Sequence, residues 1–351
     1  MPAPPSAQSS AFRQTLEARA FAMAEFLIPR LPLSIFLGVI RILAPLAWLV
    51  DRRGRRTTSA NLQVALGPMR PAHCRRLARL AYRAMGRTFF DLLRTPLLTP
   101  ENWQKYIDYD DFAGLDALAA QGKGMIFVCL HYGSFEWNNI LFARLGHPPL
   151  VVTQESKNPL ITERLSALRA SAGSQPITQE RSFLRMFKHL KKGQPVGLLA
   201  DLTLKPTEPS VIIDTFGGLK MCVNILAAEL HRRTGAPIVP ITCRPQPDGR
   251  AKLTIHPVLC TPPQANTQEI TQALWNCLEP EIRQHPEHWL WAYKHWRYRP
   301  ETAAASTYPF YANPSSAFNR LVQKQAAEAS RMSEVAPEGR ARDFMSDSAS
   351  S

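Results

Sequence analysis

The chain has 351 residues, enough to bury a sizeable core in one large domain or two. Its 45% hydrophobic content is that of an ordinary globular protein, whereas its formal charge of +14 directs attention to nucleic acid, anionic lipid or acidic protein partners. The six cysteines (74, 129, 222, 243, 260 and 277) contain no C-x-x-C pair, so they indicate neither a zinc site nor a disulfide framework and fit a reducing compartment.

Residues 1–20 open on Pro, Ala and Ser and are expected to be disordered, with no basic stretch and cleavage site of a signal peptide. Residues 21–56 form an apolar and then basic segment. Arg30, Arg41, Pro29, Pro32 and Pro45 divide its apolar part into pieces of about ten residues, short of the roughly 20 that a spanning helix needs. Arg52, Arg53, Arg55 and Arg56 follow at once. An apolar segment backed by basic residues reads as an interfacial anchor on an anionic leaflet. A buried helix with a solvated basic loop and a single tilted span are the other readings. Residues 58–94 are helical in pattern, broken at 68–71, and Leu77, Leu80, Ala81, Ala84, Met85, Thr88 and Phe89 recur at spacings of three and four. That pattern signals a helix that packs.

From residue 111 helices and strands alternate, which predicts an α/β fold with a mixed, mostly parallel sheet flanked by helices. Helices are expected over 112–121, 158–172, 181–192 and 223–234. Strands are expected over 125–130, 151–153, 195–200, 210–214, 238–243 and 253–256. The run 125–130 is uncharged and apolar, suiting a strand buried on both faces, and it ends abruptly in His131, Gly133 and Glu136. Loops leaving the carboxyl ends of such strands are where ligands and chemistry sit.

On one continuous helix His131 and Glu136 would point roughly 140° apart. A turn at Gly133 brings them together, as a base and the carboxylate that orients it. A structural histidine at a strand end is the alternative. Asp201 places a second carboxylate at the end of strand 195–200.

A helix over 269–285 precedes a run of aromatics and cations, 285–299, of a kind that stacks nucleobases or sits at a membrane interface. His285 and His288 have no carboxylate or cysteine partner at ligand spacing, so no metal is expected. Residues 301–351, most clearly beyond 312, read as a disordered tail.

Taken together, these landmarks resemble the bacterial lipid A biosynthesis acyltransferases, a branch of the lysophospholipid acyltransferase superfamily. The resemblance runs from about residue 21 to residue 300. It rests on Asn61-Leu62-Gln63-Val64-Ala65-Leu66, His131-Tyr-Gly-Ser-Phe-Glu136-Trp, Lys157-Asn158-Pro159-Leu160 with Arg169 downstream, Leu190-Lys191-Lys192-Gly193, Asp201, Phe216-Gly217 and Thr234-Gly235-Ala236-Pro237, in the family's order, closed by 291–300. Three positions depart from the family: Thr203 in place of a second carboxylate, 218–222 after Phe-Gly, and Lys294-His295 in place of a double arginine.

The resemblance implies a glycerolphosphate acyltransferase-like fold at 57–300 with an N-terminal helical membrane anchor. It also implies an O-acyltransferase that moves a fatty acyl group from acyl carrier protein to a hydroxyl of a membrane glycolipid, a lipid A precursor, at the cytoplasmic face of the inner membrane. No metal or organic cofactor and no nucleic acid take part. His131 is the implied general base with Glu136 fixing its tautomer, and Arg169, Asp201, Asn158, Phe216 and Gly217 are implied substrate-binding positions, Arg169 facing a phosphate. Arg181, Arg185, Lys188, Lys191 and Lys192 are candidate carrier-docking residues, or a solvated helix face. The three departures leave a lysophospholipid or phosphatidylinositol mannoside acceptor open. A hydrolase and a non-catalytic basic membrane-binding protein are the remaining alternatives.

Overall fold

The structure, a computed structural model, describes residues 7–110, 113–154, 156–171 and 173–335. Four helices lead the chain: α1 (Ala7–Leu27), α2 (Leu33–Val50), α3 (Arg52–Leu66) and α4 (Pro71–Leu93). Pro29 and Pro32 break the chain between α1 and α2. Asp51 ends α2 and caps α3, its carboxylate accepting from Gly54 N at 2.8 Å and from the Tyr82 hydroxyl at 2.8 Å. Gly67 then stops α3 at a positive φ, and Pro71 opens α4 at the position where a missing N–H is harmless.

Two expectations for this region are corrected. Residues 7–20 belong to α1, where Gln14 O accepts from Asn158 Nδ2 at 2.8 Å. Pro45 does not divide α2, which runs unbroken for 18 residues with only Phe36, Ile40 and Ala44 buried. By length and composition α2 could cross a membrane.

The remaining elements alternate: β1 (Ile107–Tyr109), α5 (Ala113–Ala120), β2 (Ile126–Cys129), α6 (Glu136–Arg144), β3 (Leu150–Val152), α7 (Pro159–Ser171), β4 (Gln175–Ile177), α8 (Ser182–Leu190), β5 (Val196–Leu199), β6 (Ser210–Thr215), β7 (Leu219–Asn224), α9 (Leu226–Thr234), β8 (Ile238–Pro245), β9 (Ala251–Ile255), α10 (Thr267–Gln284) and α11 (Ser316–Val335). Seven strands form one sheet in the order β1-β9-β8-β2-β5-β3-β4, parallel except where β8 meets β9. This is the α/β, mostly parallel mixed sheet that the alternation of elements predicts.

β2 lies near the middle and is buried on both faces, because its side chains alternate. Ile126 and Val128 join the large core that includes α4, α9 and α10, whereas Phe127 and Cys129 face α5 and α6. Phe127 stacks on Phe142 of α6 at 3.6 Å between ring centroids.

β6 and β7 make a separate antiparallel hairpin. β7 is not among the expected strands, and its last two residues, 223 and 224, fall in the expected helix 223–234, which starts instead at Leu226. β1 and β4, three residues each, were not anticipated. The expected disorder after 301 is corrected for residues 301–335, where α11 closes over the β6–β7 hairpin and buries Phe318 completely. The stretches 1–6 and 336–351, where disorder was also expected, lie outside the described residues, as do residues 111 and 112 at the start of the expected helix 112–121.

Candidate active site

The register of the central strands builds the site. β2 pairs with β5 so that Cys129 lies opposite Leu199. Two residues further along each strand, His131 and Asp201 therefore leave the sheet side by side. Asp201 is fully buried and accepts three hydrogen bonds: from His131 Nδ1 at 2.7 Å, from the His131 backbone N–H at 2.9 Å and from Trp289 Nε1 at 2.8 Å. With Nδ1 donating to the carboxylate, Nε2 is left as the basic nitrogen. The His131 side chain remains 17% exposed, so a substrate can reach it.

The electrostatics follow from this arrangement. Burial opposes a charge on His131, but the Asp201 charge and hydrogen bond, with the nearby Glu136 charge, outweigh it and raise the imidazole pKa above its ordinary value. Burial likewise opposes the Asp201 carboxylate, and the His131 partner more than offsets it, so Asp201 stays ionised.

The partner expected for His131 is thus corrected. Glu136 does not hydrogen-bond the imidazole; it opens α6, and Arg169 of α7 grips it with Nε at 3.0 Å and Nη2 at 2.5 Å. The reason is geometric: a fork of two parallel N–H groups matches both carboxylate oxygens at once. It follows that the Arg169 fork, expected at a substrate phosphate, is engaged by Glu136.

The loop 131–135 is clamped from three sides. Gly133 N–H donates to His288 O at 2.9 Å, and Ser134 N–H donates to Cys243 O of β8 at 2.8 Å. From α4, Thr88 Oγ1 donates to Gly133 O at 2.6 Å, and Asp91 Oδ2 accepts from Ser134 Oγ at 2.5 Å. Gly133 itself sits at φ 56°, and a Cβ there would lie 2.2 Å from Cys243 O, so only glycine fits.

Around His131 is a cavity of about 250 Å³ whose walls are mostly apolar, with Met85, Phe89, Leu92, Phe135 and Leu290 beside Glu136 and His288. His288 is held neutral: burial first, then the charges of Arg244, His285 and Arg87, push its pKa down to about 3. Behind Asp201, His295 stacks on Trp289 at 3.9 Å and donates Nε2–H to Leu290 O at 2.9 Å. Among the described residues no three His, Cys, Asp or Glu side chains gather as metal ligands.

Three expected binding residues lie elsewhere. Asn158 caps α7, accepting from Leu160 N–H at 3.1 Å, and donates to Gln14 O of α1 at 2.8 Å, so it ties two helices together. Phe216 and Gly217 form the turn between β6 and β7. Phe216 is buried among Trp275, Trp289, Trp291 and Trp296, one layer behind Asp201.

Sequence reasoning missed Thr88, Asp91 and Trp289. The signal for Asp91 was an acidic residue four after Arg87 in a helix otherwise read for its apolar stripe. Trp289 was hidden in a run read for stacking.

A model of the bacterial lipid A biosynthesis acyltransferases matches residues 7–298. The chain belongs to that family. It is similar to the lipid A biosynthesis lauroyltransferase of Escherichia coli (strain K12), with 24% identity over 282 residues that cover 79% of this chain and 90% of that protein. It is also similar to the lipid A biosynthesis acyltransferase of Haemophilus influenzae (strain ATCC 51907 / DSM 11121 / KW20 / Rd), with 19% identity over 249 residues, 70% of this chain and 76% of that protein. The protein is an acyltransferase of lipid A biosynthesis, and its family implies an acyl donor and a lipid A precursor as acceptor.

Proposed function

We propose that this acyltransferase moves a fatty acyl group from an acyl carrier protein thioester to a hydroxyl of a lipid A precursor, with His131 as general base and Asp201 as the carboxylate that orients it. The observation that carries the reading is the His131–Asp201 pair at the wall of an apolar cavity. A hydroxyl is a poor nucleophile at neutral pH. His131 Nε2 takes its proton as the hydroxyl oxygen attacks the thioester carbonyl carbon, and Asp201 stabilises the imidazolium that forms. The tetrahedral intermediate collapses, the C–S bond breaks, and the imidazolium returns the proton to the departing thiolate. An ester and a free thiol result, and no acyl-enzyme is needed.

Glu136, fixed by Arg169, adds negative charge near the imidazole and so supports its proton uptake. The apolar walls suit an acyl chain. The cavity side of α4 continues into the N-terminal helices, where Phe21 of α1 meets Phe89 at 6.3 Å. α2 leaves Ile42, Leu46, Leu49 and Val50 exposed and is followed by the arginines of α3, which supports a membrane-facing side at the inner membrane's cytoplasmic leaflet. A basic surface suits both phosphorylated lipid and an acidic carrier protein.

The test supplies membranes containing the wild type or His131→Ala with radiolabelled acyl carrier protein thioesters and a panel of lipid acceptors. Labelling of a lipid A precursor by the wild type alone is the expected result. Equal labelling by both proteins removes His131 as the base, and labelling of a lysophospholipid instead changes the acceptor.

A further inference from the structure

We propose that a second cavity, at the end of α4, is a binding site for the phosphate of an anionic membrane lipid. The cavity encloses about 410 Å³. Three cations line it: Arg94 just past α4, Lys105, and Arg250 from the turn between β8 and β9. Asp248 is the one carboxylate in the lining, and it already accepts from the Arg250 backbone N–H at 3.0 Å. Leu31 and Leu33, from the junction of α1 and α2, supply an apolar wall.

Arg94 is the observation that points to a ligand. Its residue is only 4% exposed, yet Nε and Nη1 have no hydrogen-bond partner among the described residues. Asp91 does not satisfy it: the closest approach is 4.0 Å, while that carboxylate takes Arg87 Nε at 2.6 Å and Ser134 Oγ at 2.5 Å. The guanidinium lies instead over the Phe36 ring at 4.6 Å. A buried guanidinium without hydrogen-bonded acceptors is costly to keep. Arg250 repeats the pattern, with Nε buried and unpartnered among the described residues, and its Nη2 reaches Asp108 and Gln104 O only at 3.5 Å. Lys105 makes no ion pair among the described residues.

A phosphate matches these donors better than a carboxylate does, because guanidinium forks and an ammonium can share its larger set of oxygens. The cavity also stands at the right edge of the molecule. The turn 246–250 follows β8, whose Cys243 O holds the His131 loop, and Arg87 Nη2 donates to Gly249 O at 2.6 Å. Leu33, the first residue of the apolar helix α2, sits directly on Gly249. A headgroup bound here has its apolar portion beside α2. Arg94 follows Thr88 by six residues, roughly 9 Å along a helix axis, so the site adjoins the catalytic cavity without sharing its lining.

Titration calorimetry on the full chain in neutral detergent tests the site, using dihexanoyl phosphatidic acid, dihexanoyl phosphatidylcholine and inorganic phosphate. Phosphatidic acid is expected to bind, and phosphatidylcholine not. Lys105→Ala and Arg250→Gln, both at partly exposed positions, should each weaken binding about tenfold. Arg94→Met should abolish it, with thermal melting run alongside to show that the variant folds. Inorganic phosphate binding as tightly as phosphatidic acid keeps the anion site but overturns the lipid as its occupant. No binding of phosphatidic acid to the wild type, or unchanged binding by both rim variants, overturns the proposal. The readout is binding, so His131→Ala should leave it unchanged; the site and the catalytic reading therefore fail separately.

Discussion

Asp201 accepts three hydrogen bonds from a histidine ring, its backbone and an indole, so its charge and its position are both used. The proposed role of His131 as general base needs the neutral ring. Because the folded protein raises the His131 pKa, kcat/KM should fall as pH drops through a value above the ordinary 6.5. In Asp201→Asn the larger raising charge is gone, and only Glu136 is left against burial, the strongest single influence. The acid limb should then move to lower pH, while kcat falls by about 10²–10⁴-fold; a pH-rate profile of both proteins checks the shift and its sign. An unmoved limb would show that Asp201 does not act on the base.

The Glu136–Arg169 pair makes a different prediction at the same scale. Both side chains are mostly buried, and the bond is bidentate. Arg169→Lys keeps the charge but loses the fork, and chemical denaturation should show a loss of about 1–3 kcal/mol. Unchanged stability would mean that the fork contributes nothing beyond its charge.

At the scale of elements, the loop between β2 and α6 depends on α4 and β8 more than on its own sequence. Gly133→Ala must place a Cβ at a positive φ and against Cys243 O. It should cost at least about 2 kcal/mol in thermal melting and displace the imidazole, lowering activity further than the stability loss alone explains. Wild-type melting and activity would show that the loop can shift to admit a methyl group. α4 has two working faces. Met85, Thr88, Phe89 and Leu92 line the cavity around His131, whereas Arg87 and Asp91, with Arg94 just past the helix, carry charge beneath the loop toward the second cavity. Spacings of three and four residues assign each set to its face.

For the whole molecule, the proposed membrane-facing side joins the +14 charge to the exposed apolar residues of α2. Flotation with anionic vesicles should recover the protein at low salt, and less of it at high salt, as the arginine contribution is screened over about 10 Å at 0.1 M. A salt-resistant fraction is expected from apolar insertion of α2. Equal recovery on neutral and anionic vesicles at every salt concentration would remove the electrostatic part of this picture.

Much was decided by local sequence. Residues 125–130 make a doubly buried strand because they are apolar and uncharged, and the glycine two residues past His131 marks the turn because few other residues accept its φ. The order of short motifs was enough to expect the family. Other features depended on contacts between distant segments. Asp201 replaces Glu136 as the imidazole's partner because two neighbouring parallel strands share a register, which spacing along one segment does not encode. Asn158 and Phe216 look like site residues by motif, yet hydrogen bonds to α1 and a shell of tryptophans give them structural places. Pro45 did not break α2, and α1 and α11 are ordered, because tertiary contacts override local propensity. Arg94 was one arginine among many in the sequence. Only the fold buried it beside Lys105 and Arg250 with Nε and Nη1 unpartnered among the described residues, since burial belongs to the assembled core and not to any single segment.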